Sequence, residues 1–182
     1  YIHSKKSAYG IKKTLAKGTP SIGYINGILN NWKENTTDKE YKLSNGMVIP
    51  ALGFGTYNPG GDNHKEMIAT AIKVGFRYFD TASIYGTEQA LGEAVKESGI
   101  PRSEFILASK AWIDEMGYEE VKEALQRTLH RLDTPYLDIY LIHWPRAAED
   151  EGWQQRIADT YRALEEAYEE IDGITEYETT GD

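Results

Sequence analysis

From residue 51 onward the apolar positions alternate between two rhythms. Residues 51–56, 76–80, 105–110 and 137–143 are strand-length runs, rich in aromatic and branched side chains where they are not glycine. The segments between them have helical spacing: Met67, Ala71 and Ile72 in the first, Leu91, Ala94 and Val95 in the second, Val121, Leu125, Leu129 and Leu132 in the third. Ile157, Tyr161, Leu164 and Tyr168 predict one face of a fourth helix. Four βα units in series imply parallel strands covered by helices, either in an open doubly wound sheet or in a barrel. The glycine pattern of an open dinucleotide-binding fold is incomplete after the first strand, because Gly53-Phe54-Gly55 is followed by Asn58 where the third glycine would stand. Periodicity alone leaves barrel and open sheet as alternatives.

Ahead of the first strand, Asn45-Gly46 lies between two short β-type runs within 41–49 and predicts a hairpin, since both residues tolerate the positive φ of a type I′ turn. Residues 1–37 depart from the βα plan. Positions 11–15 and 22–32 read as helical, with Ile25, Leu29 and Trp32 on one face, and 35–38 read as a linker. Charge follows the same division. Residues 1–40 hold seven Lys/Arg against three Asp/Glu, whereas the remainder holds 13 against 26, so the two parts are expected to be different structural units. Residues 165–182 carry eight acids and no Lys or Arg, and 172–182 is expected to be an acidic, disordered tail. The chain has no cysteine, which removes disulfides and thiolate metal sites. No apolar run is long enough for a membrane span, and a cytoplasmic location is the expectation.

The candidate chemistry lies at strand ends. Asp80 closes the second strand, Lys110 the third and His143 the fourth, with Tyr85 in the turn just after Asp80. Carboxyl ends of parallel strands face the mouth where barrels and open sheets alike build their sites, so four ionisable groups converge on one rim. Each taken singly has an ordinary structural role to weigh against this: a loop cap, a packed ring, a solvated lysine, a core histidine. Their occurrence at the ends of consecutive units is what argues for function.

The wording around these residues closely resembles the aldo-keto reductase family. Gly75-Phe-Arg-Tyr-Phe-Asp80-Thr-Ala-Ser-Ile-Tyr85-Gly-Thr-Glu88-Gln-Ala-Leu-Gly92 matches a family segment, Ser109-Lys110-Ala-Trp112 is similar to its lysine motif, and 137–145 is similar to its histidine motif. Asn45-Gly46 through Thr56 resembles its capping hairpin and first strand. Tyr78 is a departure, standing where the family usually has a smaller residue or His. The resemblance implies a (β/α)8 TIM barrel of which 41–171 is the N-terminal half: about four βα units with a capping hairpin, preceded by a short helical segment. It also implies NADPH-dependent reduction of a small carbonyl substrate. Tyr85 would be the general acid, Lys110 the ammonium that eases its ionisation, Asp80 the partner of Lys110, and His143 the group that orients the substrate oxygen. Gly55, Thr56, Tyr57 and Asp80 would hold the cofactor, and Tyr57, Trp112 and Trp144 would line the substrate pocket.

A complete barrel takes about 250 residues, against 142 from Tyr41 to Asp182, so a truncated reductase with impaired activity is expected. Family members continue into four further strands whose loops grip the adenosine half of the cofactor. Pairing of two half-barrels is one expected way to cover the open sheet. No metal or membrane partner is expected. The competing function rests on 24–32, which resembles a signature near the end of DnaD-like replication domains. It would make residues 1–37 a replication-associated binding module with the barrel piece inactive, although a modest basic balance is weak evidence for nucleic acid.

Overall fold

A computed structural model describes residues 40–58, 61–144 and 151–178, the side chains of 170–178 excepted. The helical segments and the binding module expected within residues 1–37 lie outside the described residues, as does Pro145. The order is β1 (Glu40–Lys42), β2 (Val48–Pro50), β3 (Phe54–Gly55), α1 (His64–Lys73), β4 (Tyr78–Asp80), α2 (Glu88–Glu97), β5 (Ile106–Ala111), α3 (Tyr118–Leu132), β6 (Ile139–Ile142) and α4 (Trp153–Glu178).

The hairpin forms, with Glu40 opposite Pro50 and Lys42 opposite Val48. Its turn differs from the type I′ expectation. Gly46 alone takes a positive φ, at 89°, and Asn45 does not. The Gly46 N–H donates to the Leu43 carbonyl at 3.0 Å and the Leu43 N–H to Met47 at 2.8 Å. This is a three-residue loop with a glycine bulge, in which Asn45 spends its side chain accepting from the Met47 N–H at 3.1 Å.

β3 to β6 form one parallel sheet in sequential order, β3-β4-β5-β6. A right-handed crossover to the adjacent strand, repeated without reversal, puts every helix on the same face. Consecutive helices accordingly pack side by side, α1 on α2, α2 on α3 and α3 on α4. This decides between the two architectures: the described residues form part of a (β/α)8 barrel, since an open doubly wound sheet carries helices on both faces.

Strand alternation divides the side chains between the faces. Phe79 and Leu107 point to the helices and, with Ile68, Ala71, Ile72, Leu91, Val95, Phe105 and Leu132, make the main core. Each large apolar side chain so buried stabilises the fold by about 1.5–3 kcal/mol. Tyr78, Asp80, Ala108 and Lys110 fall on the opposite, inner face. Two helix ends have clear causes. After α1, Gly75 at φ 105° lets Phe76 N–H reach the Ala71 carbonyl and its own N–H the Ile72 carbonyl, a Schellman stop that turns the chain directly into β4. After α3, Asp133 adopts the left-handed conformation at φ 50° and its carboxylate pairs with Lys96 at 2.5 Å.

The face of α4 is a correction to the periodicity. Tyr161 and Tyr168 are more than half exposed, while Thr160 and Ala163 are fully buried. Ala163 packs on Ala111 and Val121, and the Thr160 hydroxyl accepts the Gly117 N–H at 2.8 Å, so close approach to α3 selects small residues over the aromatic stripe. The same holds in α3, where Ala124 and Thr128 are buried instead of Leu125 and Leu129. The α4 backbone continues as helix to Glu178, past residue 171 where the tail was expected to start.

Gly92 marks a tight helix contact: a Cβ there would lie 2.3 Å from the Leu132 carbonyl oxygen. Gly92→Ala should destabilise the protein by about 1–3 kcal/mol through overpacking, although alanine favours helix by about 1 kcal/mol. Urea unfolding checks this, and an unchanged or raised midpoint would show that α2 and α3 can separate at no cost.

Candidate active site

The register of the sheet brings the rim together. Gly55 pairs with Asp80, Asp80 with Ala108 and Lys110 with Leu141, while the His143 N–H extends the ladder by donating to Ala111 at 3.0 Å. Lys110 lies two residues beyond the partner of Asp80 on the same face. Its ammonium donates to Asp80 Oδ1 at 2.5 Å and to the Thr81 carbonyl at 2.7 Å. The Lys110 side chain is only 13% exposed and that of Asp80 35%, so the pair is largely withdrawn from water.

Tyr85 ends a single 3-10 turn, Ser83–Tyr85, that follows β4. Ala82 enters the turn in extended backbone, and Gly86, left-handed at φ 67°, ends it before α2 begins. The half-buried Tyr85 ring therefore stands beside the strand ends. Its hydroxyl is 3.3 Å from His143 Nε2, and the Lys110 ammonium is 5.2 Å from its ring centroid. The structure thus brings Asp80, Tyr85, Lys110 and His143 into one cluster, as the sequence places them.

The His143 ring has its Nδ1 buried without a hydrogen-bond partner. Burial, and then the Lys110 ammonium, pull this imidazole below its ordinary value of 6.5, against a smaller opposing effect of Asp80. A neutral ring beside Tyr85 is the consequence. It can exchange a hydrogen bond through Nε2 with the phenol and with an oxygen bound between them.

Aromatic rings frame the cluster. The Tyr57 ring is 4.9 Å from that of Tyr85, Trp112 meets His143 edge-on at 4.9 Å, and Trp144 meets Trp112 at 6.1 Å. Tyr57 is 64% exposed and Trp144 58%, which makes them an open rim around Tyr85 and His143. Thr56, grouped with Gly55 and Tyr57 in the sequence, is fully buried, and its hydroxyl is engaged by Thr87 at 2.8 Å. Tyr78 lies over Gly53, where a Cβ would stand 2.7 Å from its ring, so this departure from the family pattern fills space on the inner face. Burial and the Asp80 carboxylate push its phenol up.

Two contributors were given no role by the sequence reading. Glu115 accepts from the Ser83 hydroxyl at 2.5 Å and from the Trp112 N–H at 2.9 Å, tying the Tyr85 turn to the Trp112 loop. Burial pushes its carboxyl up, but these two donors and Arg127 outweigh burial and hold it below the ordinary carboxylate value. Glu88 is the other, buried behind the rim. Its signal was present in the sequence, for it falls on the helical face of Leu91, Gly92 and Val95 as an acid among apolar residues. Among the described residues no group of three or more His, Asp or Glu is placed to hold a metal, and no helix is long and apolar enough to cross a membrane.

Comparison with known proteins agrees with this fold. The model of the aldo/keto reductase family matches residues 51–176. Glyoxal reductase of Bacillus subtilis is 41% identical over 130 residues, covering 71% of this chain and 45% of that protein. An aldehyde reductase of Saccharomyces cerevisiae is 41% identical over 104 residues, 57% of this chain and 33% of that one. The crystal structure of an aldo/keto reductase from Brucella melitensis superposes with a TM-score of 0.67 at 37% identity, covering 72% of this chain and 50% of the other. The chain spans about half the length of the relatives it matches.

The lowered imidazole sets a pH dependence. Below about pH 6.5 the unfolded chain takes up a proton at His143 that the folded chain resists, so stability from this residue is full above that pH and is lost as pH falls toward the lower folded value. His143→Gln should therefore lose less stability than wild type between pH 7 and pH 5 (about two units spanning that onset), measured by urea unfolding at each pH. Parallel losses in the two proteins would mean that His143 is not held neutral.

Proposed function

The chain belongs to the aldo/keto reductase family, and from that premise we propose that its rim reduces aldehydes or ketones to alcohols with NADPH as hydride donor. One observation carries the reading. The Tyr85 hydroxyl sits 3.3 Å from His143 Nε2, with the Lys110 ammonium 5.2 Å from the Tyr85 ring and 2.5 Å from Asp80. That is a proton donor, an orienting imidazole, a neighbouring cation and the anion that holds the cation.

The strip beside the cluster fits a flat cofactor ring. Gly55 faces open space, with nothing within 4 Å of where a Cβ would be, and it is the register partner of Asp80. Gly55 and Thr56 would contact the nicotinamide end through their main chains, since the Thr56 hydroxyl is already engaged, and the exposed Tyr57 ring would cover it. When bound, a reduced nicotinamide supplies hydride to the carbonyl carbon. The residues of this chain do the rest. Tyr85 gives its phenolic proton to the carbonyl oxygen, Lys110 stabilises the negative charge left on the phenolate, and Asp80 keeps the Lys110 ammonium directed. His143 Nε2 fixes the approach of the oxygen, and Trp112 and Trp144 exclude water beside it.

The glyoxal and aldehyde reductases among the relatives make small reactive aldehydes the first substrates to test. NADPH rather than NADH is our choice of donor, and a cytoplasmic location is our reading of the compartment. The described residues match about half of the relatives' length, and we place their cofactor contacts at the nicotinamide end. The helical leader (1–37), the barrel half (41–171) and the acidic tail (172–182) remain our proposed division of the chain.

NADPH titration should quench tryptophan emission, since Trp112 and Trp144 lie beside the cluster. Tyr85→Phe should abolish aldehyde reduction while changing the NADPH Kd by no more than about twofold, because it deletes a proton donor and little contact area. Wild-type turnover in that variant would remove Tyr85 from the mechanism.

A further inference from the structure

Thr87 and Glu88 open α2, and Thr87 does not behave as the start of a helix ordinarily requires. Thr87 occupies the N-cap position but makes no capping hydrogen bond with its side chain. A threonine cap normally satisfies a free helix N–H and is worth about 1 kcal/mol. Here the hydroxyl turns away from the helix and meets Thr56 Oγ1 at 2.8 Å and Thr81 Oγ1 at 2.9 Å. Those two threonines directly follow Gly55 of β3 and Asp80 of β4. All three hydroxyls are fully buried.

Glu88 is 1% exposed, a charge withdrawn almost wholly from water. Its Oε1 accepts from the Ser109 hydroxyl at 2.6 Å and from Thr128 at 3.0 Å, and its Oε2 accepts from Arg131 Nε at 2.5 Å. Ser109 is the β5 residue immediately before Lys110. Burying an ion pair is at best a weak source of stability, and a local rule broken at a helix start without a local gain points to a role elsewhere.

We infer that Thr87 and Glu88 are positioning residues, which pin the ends of β3, β4 and β5 to one point behind the rim and so set where the Lys110 ammonium lies relative to Tyr85 and His143. The functional meaning of this rests on the reductase reading, but the geometry does not. Three links run from the pin to the ammonium. Thr87 holds Thr81, whose carbonyl accepts from Lys110. Thr87 also holds Thr56, whose N–H donates to the Asp80 carbonyl at 2.9 Å. Glu88 holds Ser109 and with it the strand that carries Lys110. Tyr85 is two residues before Thr87, so the same pin fixes the end of its turn.

His143 reports on the ammonium without any need for turnover. The charged groups that act on its imidazole are Lys110, which depresses its titration, and Asp80, which raises it. If the pin is loosened and Lys110 drifts, the His143 midpoint rises. The chain has four histidines, so the His143 resonance is assigned by its loss in His143→Gln, and its Cε1 proton can be followed by NMR titration of the folded protein. Thr87→Val keeps the shape and deletes the hydroxyl, and Ser109→Ala is a smaller change on the other arm of the pin. Both should raise the midpoint by about 0.3 pH or more, and Thr87→Ser should restore it. A purely structural role would lower stability in both variants and leave the midpoint where it was. Midpoints within about 0.1 pH of wild type in whichever of the two variants is folded, or a serine variant that shifts as much as valine, would overturn the inference. NADPH quenching measured on the same samples separates the two claims. A moved midpoint without NADPH binding keeps the pin and rejects the reductase reading, and NADPH binding with an unmoved midpoint does the reverse.

Discussion

The contact between Lys110 and Asp80 is the interaction on which the rest of the rim depends. It crosses from β5 to β4 at their carboxyl ends and places a positive charge under the Tyr85 ring. In water such a pair would contribute little, and inside a protein the desolvation of both groups offsets much of their attraction. Its value is directional. The Lys110 ammonium has three protons to place, and two of them go to Asp80 and the Thr81 carbonyl. An ammonium so tethered cannot follow solvent, and a nearby phenol and imidazole therefore experience a fixed charge. Burial and, after it, that charge hold the His143 imidazole below its ordinary value.

Behind the pair lies a second layer that contains almost no apolar group. Thr56, Thr81, Thr87, Glu88, Ser109 and Thr128 are all buried and all hydrogen-bonded, while the apolar core of Phe79, Leu91, Leu107 and Leu132 lies on the same, helix-covered side of the sheet. Apolar packing is non-directional and tolerates small slides of a strand. Buried hydrogen bonds do not, because a displaced partner leaves an unsatisfied group costing about 1–3 kcal/mol. A rim that must hold four side chains in mutual contact gains from having polar joints beneath it and apolar packing around it. Glu115 extends the same logic to the loops, joining Ser83 to the Trp112 main chain.

Much of this was legible in the sequence, and the omissions share a cause. The four strands and the four helices follow from apolar rhythm, and Asp80, Tyr85, Lys110 and His143 stand out because strand ends face the mouth of such sheets. The choice between barrel and open sheet was not legible from rhythm, since both alternate strand and helix, and it needed the sequential strand order. The stripe on α4 was misread at Tyr161 and Tyr168, which hydrophobicity favours, whereas the approach to α3 buries Thr160 and Ala163 and packs only Leu164 of the stripe beside them. The turn at Gly46 was misread because Asn45 accepts a main-chain N–H where a positive φ was expected. Thr87, Ser109 and Glu115 carry no periodic signature at all. A hydrogen bond between residues 20 to 40 positions apart becomes visible only once the strands are in register.

The inner face of the sheet bears on how far the rim is self-sufficient. Helices cover one side only, and β3 and β6 each pair along one edge among the described residues. Leu141, on that inner face, is 44% exposed. In a closed barrel this face would pack in layers and neither edge would exist. Cover for that face is distinct from the arrangement of the chemistry. Among the described residues, the strand pairings and hydrogen bonds given above for Asp80, Tyr85, Lys110 and His143 run between residues 55 and 143, within consecutive βα units. The rim is cross-braced from behind, by α2 and α3, and none of those braces reaches across the open face. Its geometry therefore depends on the register of four adjacent strands, while the length of time it persists depends on whatever covers the inner side.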